Sequence, residues 1–201
     1  MRRAAFLGLA VGAGTLALLG ACDGPASDKA AEGTPQAGSR EVMAGIPDYA
    51  SAGMPAPDVT LVRDGGAPMA LTGFRGTPTL VNLWATWCAP CIAELPALDR
   101  LAAAQGFDMN IVAVSQDIGG WDKVTPVLEQ NPLRDLTVLV DETGALGRSI
   151  GAAGLPVTIM YDAEGNELWR VNGPREWDQP GGLPAASAAD AGPGQAASEQ
   201  G

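Results

Sequence analysis

The 201-residue sequence contains no histidine. That absence removes imidazole metal ligands, Cys–His and Ser–His–Asp catalysis, and the usual near-neutral proton shuttle. Bases are scarce too: 12 Lys and Arg stand against 23 Asp and Glu, a formal charge of −11. So acidic a chain argues against nucleic acid or an anionic bilayer surface as its main partner. Large apolar side chains are fewer than the 46% hydrophobic content suggests, because Ala, with 27 Gly and 16 Pro around it, inflates the small-residue share. The length suits one domain with appendages.

What is present begins with "MRRAAFLGLAVGAGTLALLGAC": two arginines, an uncharged run from Ala4 to Ala21, then Cys22. The small pair Gly20-Ala21 suits a cleavage site. The stretch resembles a bacterial lipoprotein signal whose lipobox is Leu19-Gly20-Ala21-Cys22. The resemblance implies cleavage after residue 21 and acylation of Cys22. An uncleaved membrane anchor and a plain secretory signal are the alternatives, and all three export the domain. A plain signal needs no cysteine there, which favours the lipid.

The organisation expected is a signal peptide over 1–21, a lipid anchor and flexible linker over 22–54, one domain over 55–178 and a disordered tail over 179–201. Both flanks are rich in Ala, Gly, Ser and Pro and cannot bury enough surface to offset their ordering entropy. Inside the domain, "DVTLVRDGGAPMAL" is a hairpin signal around Asp64-Gly65-Gly66. "TLVNLWAT" is a buried strand with one polar break at Asn82. "CIAELPALDRLAAA" places Ile92, Leu95, Leu98 and Leu101 at helical spacing, with Pro96 as a kink. "FDMNIVAVSQ" and "LTVLVD" read as strands flanking a helix that opens near Trp121, then a short helix ends at Gly151. "LPVTIMYDAEGNELWRVNG" reads as a closing hairpin. Strands alternating with helices predict a mixed α/β sheet with helices on both faces. Trp84, Trp121, Trp169 and Trp177 read as core or strand-end packing.

The remaining cysteines form Cys88-Ala89-Pro90-Cys91 between a strand and a helix. At the helix amino terminus, orphan N–H groups and the dipole favour a thiolate at Cys88. Cys91 lies one turn on, within reach of a small disulfide ring, and Pro90 suits a first helical turn. Cys88 would attack and the more buried Cys91 resolve. A purely structural disulfide would be a poor staple, because so short a loop removes little chain entropy. A structural zinc site lacks two further ligands. Peroxiredoxin-type peroxidase chemistry wants Thr three residues before its cysteine, where Ala85 stands, and copper delivery wants a histidine.

Together "GTPTLVNLWATWCAPCIAELPAL", "MPAPDVTL" and "GLPVTIMYDAEGNELWRVNG" resemble the TlpA/ResA-like family of membrane-anchored thiol–disulfide oxidoreductases. The resemblance implies a thioredoxin-like three-layer α/β/α fold with a central mixed sheet and an amino-terminal β-hairpin extension. It implies Cys88 as nucleophile, Cys91 as resolving thiol, Trp87 as the aromatic before the site, and a cis bond at Leu155-Pro156 in a substrate-pairing loop. It also implies that Glu94, three residues after Cys91, fills a recurrent family position as proton partner of the resolving thiol. Thioredoxins carry a buried Asp where Asn82 stands, and Asn82 cannot take a proton. The function implied is reduction of protein disulfides on the periplasmic face, of the cytochrome c or oxidase maturation type. The dithiol serves without a cofactor or metal, and a membrane thiol transporter of the DsbD/CcdA kind supplies electrons to a monomer. A non-enzymatic binding module and a disulfide-donating oxidase are the competing readings.

Overall fold

The computed structural model describes residues 45–104 and 108–185. The expected signal peptide, Cys22, most of the linker and the tail after Ala185 lie outside the described residues. Among the described residues no helix is long and apolar enough to cross a membrane.

Eight strands form one sheet: β1 (Pro47–Asp48), β2 (Thr60–Val62), β3 (Pro68–Ala70), β4 (Thr79–Trp84), β5 (Asn110–Ser115), β6 (Thr137–Val140), β7 (Val157–Tyr161) and β8 (Glu167–Asn172). The helices are α1 (Ala89–Ala103), α2 (Trp121–Gln130) and α3 (Ala145–Ser149). The strand order is β1-β8-β7-β4-β5-β6-β2-β3. β4, β5 and β6 run parallel, joined by helical crossovers, whereas β7 and β8 return antiparallel on the β4 side. The expected amino-terminal hairpin is β2–β3, docked through Val62 opposite Val140 of β6. Its turn needs glycine: Gly65 and Gly66 have φ of 80° and 84°, where a Cβ is strained.

Strand alternation separates two cores. Leu80 and Trp84 of β4 face α1 and α2 with Ile111, Ala113 and Trp169, while Val81 and Leu83 face α3 with Val112, Val114 and Leu146. All six β4 residues are buried, as a central strand under helices on both faces requires. α1 turns Cys91, Glu94, Leu95, Leu98 and Leu101 inward and continues through Pro96. Leu95 and Leu98 are wholly buried, stabilising the fold by about 1.5–3 kcal/mol each.

The ordered body exceeds the expected 55–178 limits at both ends. β1 pairs Pro47 with Val171 and Asp48 with Arg170, so residues 45–54 are not simply tether. Tyr49 packs on the α1-side core and its hydroxyl donates to Ala185 O at 3.2 Å. Beyond β8, Trp177 is buried and Leu183 packs on the same core, so residues 179–185 are placed where a disordered tail was expected. Tyr49 in the first flank and Leu183 in the second supply apolar area that docks these small-residue segments on the core.

Candidate active site

Cys88 caps the amino terminus of α1 with extended backbone (φ −96°, ψ 95°), and Pro90 occupies the first turn. Ile92 N–H donates to Cys88 O at 3.1 Å, beginning the helical ladder. Cys88 and Cys91 are joined in a disulfide with Cα atoms 5.3 Å apart. Cys88 retains slight exposure and Cys91 has none, so a partner reaches the outer sulfur first. Trp87 beside them is 72% exposed, unlike the other large rings among the described residues.

The Leu155–Pro156 bond is cis. Pro156 directly precedes β7, whose Val157 lies opposite Leu83 of β4. That register sets the cis-proline next to the β4–α1 connection carrying the disulfide. The loop is tied at its start: Arg170 Nη1 donates to Ile150 O at 2.8 Å, while Glu167 accepts from Arg170 Nε and Nη2, each at 2.6 Å.

Glu94 is 5% exposed, one turn after Cys91 on the same inward face. Its Oε1 accepts from Asn82 Nδ2 at 2.7 Å. Its Oε2 accepts from the Arg175 backbone N–H at 3.1 Å and from Trp177 Nε1 at 3.2 Å. Burial pushes the Glu94 carboxyl above its ordinary range, against the three donated bonds that pull it back. Asn82 spends its other amide hydrogen on Thr158 Oγ1 at 2.9 Å, and its Oδ1 is buried without a partner. Asn82 and Glu94, read separately from the sequence, are therefore one hydrogen-bonded pair.

Four contributors escaped sequence reading. Trp177 and Arg175 reach Glu94 from beyond the last strand, and only an isolated tryptophan in a polar segment hints at them. Thr158 is hidden inside an apolar strand. Asp117, also buried, clamps the loop before the disulfide: Oδ2 accepts from Thr86 N–H at 2.8 Å and Ser115 Oγ at 2.7 Å, and Oδ1 accepts from Thr86 Oγ1 at 2.7 Å. Among the described residues no group of three His, Cys, Asp or Glu converges as a metal site.

Chemically, a slightly exposed disulfide sulfur, a buried partner and a buried carboxylate suit exchange of electron pairs with coupled proton movement. Residues 51–188 match the model of the Redoxin family. The chain is 37% identical over 109 residues to the thiol:disulfide interchange protein DsbE of Vibrio cholerae, covering 53% of this chain and 57% of that protein. It is 25% identical over 128 residues to the thiol-disulfide oxidoreductase ResA of Bacillus thuringiensis, covering 63% of this chain and 73% of that protein. The matches thus span between about half and three quarters of these relatives. A Chlorobium tepidum crystal structure assigned as a thiol:disulfide interchange protein DsbE matches with TM-score 0.57 at 29% identity, covering 63% of this chain and 89% of that one. Since the family match runs from ahead of β2 to past the last described residue, the chain belongs to the Redoxin family and carries its thioredoxin-like fold.

Proposed function

We propose that the protein exchanges disulfides with exported protein substrates, acting as a reductase. The observation that carries the reading is the Cys88–Cys91 disulfide at the start of α1, with the slightly exposed Cys88 next to exposed Trp87 and the buried Cys91 one helical turn before buried Glu94. In the reduced protein the Cys88 thiolate, favoured by the helix amino terminus, attacks one sulfur of a substrate disulfide. A mixed disulfide forms and the first substrate thiolate leaves. Cys91 then passes its proton to Glu94 and attacks Cys88 Sγ, closing the Cys88–Cys91 disulfide and releasing the second thiolate. Two electrons pass to the substrate, two protons follow, and the substrate departs as a dithiol. An external thiol donor returns the pair to its reduced form.

Trp87 and the Leu155–Pro156 loop are the substrate contacts in this reading: one supplies an exposed apolar ring, the other a backbone edge. The cysteine after the small pair Gly20-Ala21 supports export and attachment to the periplasmic face through a lipidated Cys22, with electrons from a membrane thiol transporter and the protein acting as a monomer. Clients of the cytochrome c or oxidase maturation type fit that compartment. No cofactor or metal enters the exchange.

The test is capture of intermediates by gel shift. Cys91→Ser should accumulate mixed disulfides through Cys88, and Cys88→Ser should accumulate none. Alkylation across glutathione poises should show one reversible two-electron transition. A potential near the oxidising end of the thioredoxin-fold range, roughly −120 mV, would reverse the direction proposed. Absence of any transition would remove the activity.

A further inference from the structure

Trp177 touches neither sulfur in any contact described above, yet it is bound to the one buried carboxylate that the exchange uses. We propose that Trp177 is a positioning residue: its indole N–H, delivered by the segment after β8, holds Glu94 in the ionised form that accepts the Cys91 proton. The inference rests on the proposed exchange and assigns it a determinant outside the motif.

The hydrogen-bond polarity carries the inference. Every polar contact on the two Glu94 oxygens is a donor: Asn82 Nδ2 on Oε1, Arg175 N–H and Trp177 Nε1 on Oε2. A protonated carboxyl needs an acceptor for its own hydrogen; on Oε2 the Arg175 N–H and the indole N–H can only donate, and on Oε1 an acceptor would require the Asn82 amide to turn over. The two Oε2 donors therefore favour the anion against the burial that disfavours it. Both donors come from one segment, which the Arg175 side chain anchors. The Arg175 guanidinium donates to Gly45 O at 2.5 Å, Gly182 O at 2.6 Å and Gly181 O at 2.7 Å. It also lies 5.9 Å over the Trp177 ring, whose exposure is 1%. The indole is thus stacked, buried and aimed.

Other charges near Glu94 are few. Arg100, Arg175, Glu176 and Asp178 line a cleft with it between α1 and the post-β8 segment, and Arg100 and Asp178 neutralise one another at 2.7 Å. β4 and β7 present only neutral Asn82 and Thr158. The uncharged donors are therefore what opposes burial of the carboxylate. A ring serving only as filler would be replaced by phenylalanine without kinetic consequence.

The experiment follows exchange of the reduced protein with a chromogenic aryl disulfide by stopped flow from pH 4 to 9, resolving the Cys91 step. Trp177→Phe keeps most of the ring and loses the N–H. The acid limb of its profile should move to higher pH, so that the rate on that limb falls about tenfold while the alkaline plateau stays. In a Glu94→Gln background the same change should do nothing. A wild-type profile for Trp177→Phe, where Glu94→Gln alone is altered, overturns the inference and leaves the exchange mechanism standing. If Glu94→Gln is itself unaltered, the Glu94 reading has failed instead. A second measurement needs no Trp177 variant: in the reduced wild-type protein the Trp177 indole N–H resonance should titrate with Glu94 and be flat in Glu94→Gln. A flat wild-type resonance also overturns it.

Discussion

Asn82→Asp tests the buried pair at the centre of the site. The substitution puts a carboxylate oxygen where Asn82 Nδ2 now sits, 2.7 Å from Glu94 Oε1. At that separation two buried carboxylates persist only by sharing a proton. Thr158 Oγ1, 2.9 Å from the same atom, donates its hydroxyl to the new oxygen, so no other contact opposes the exchange. The folded variant then holds one proton that the unfolded chain releases above the ordinary carboxylate range, near pH 4.5. Stability is fully present below that range and falls as pH rises, by about 1.4 kcal/mol per pH unit for one proton. From pH 5 to 7 the variant's loss approaches about 2.7 kcal/mol, steeper than in wild type, where Glu94 alone carries part of the same loss. For a domain of this size that is roughly 5–11 °C in melting temperature. Thermal unfolding of the oxidised proteins at pH 5, 6, 7 and 8 reads it directly. Melting curves that stay parallel across that range would refute the shared proton, and with it the Asn82–Glu94 contact.

Two further outcomes follow from the same structure. Burial raises the proton affinity of Glu94, so its stabilisation is complete below the usual glutamate range and is lost as pH climbs through the raised folded value. Glu94→Gln lacks that loss, and its amide can donate to the unpartnered Asn82 Oδ1 once the Asn82 amide turns over. Its melting temperature should gain on wild type between pH 4 and 8; a constant difference would contradict the shift. Asp117→Ala strips the acceptors from Thr86 N–H, Thr86 Oγ1 and Ser115 Oγ, at a cost of about 2–4 kcal/mol. Urea unfolding should show the loss and amide exchange should show Thr86 unprotected, whereas retained Thr86 protection would remove Asp117 from the loop's support.

The sequence made the repeating elements readable because their signals are local. The buried run of β4, the helical spacing of α1 and the Asp64-Gly65-Gly66 turn each lie within a dozen residues, and the structure places each as expected. The cysteine pair was legible for the same reason, since a strand, a short motif and a helix start occupy one continuous stretch. The partners of Glu94 were not. Trp177 is 83 positions away and Thr158 is 76 positions from Asn82, so no periodicity links them. The described body runs past the expected limits because a few distant contacts, not local composition, place residues 45–54 and 179–185. Tyr49 and Trp177 each dock on a core that exists only after β4, α1 and β8 have assembled.

The sheet's margins carry one more consequence. The outermost strands, β1 and β3, have two and three residues, and each includes a proline, Pro47 and Pro68. Proline donates no backbone hydrogen, so neither margin offers an incoming chain a row of open donors to copy. Recruitment by strand addition is thereby closed off along the described sheet. In the proposed exchange a client polypeptide would instead be met at the loops around Trp87 and Pro156, beside Cys88. Many copies held side by side would also resist knitting together through their sheets.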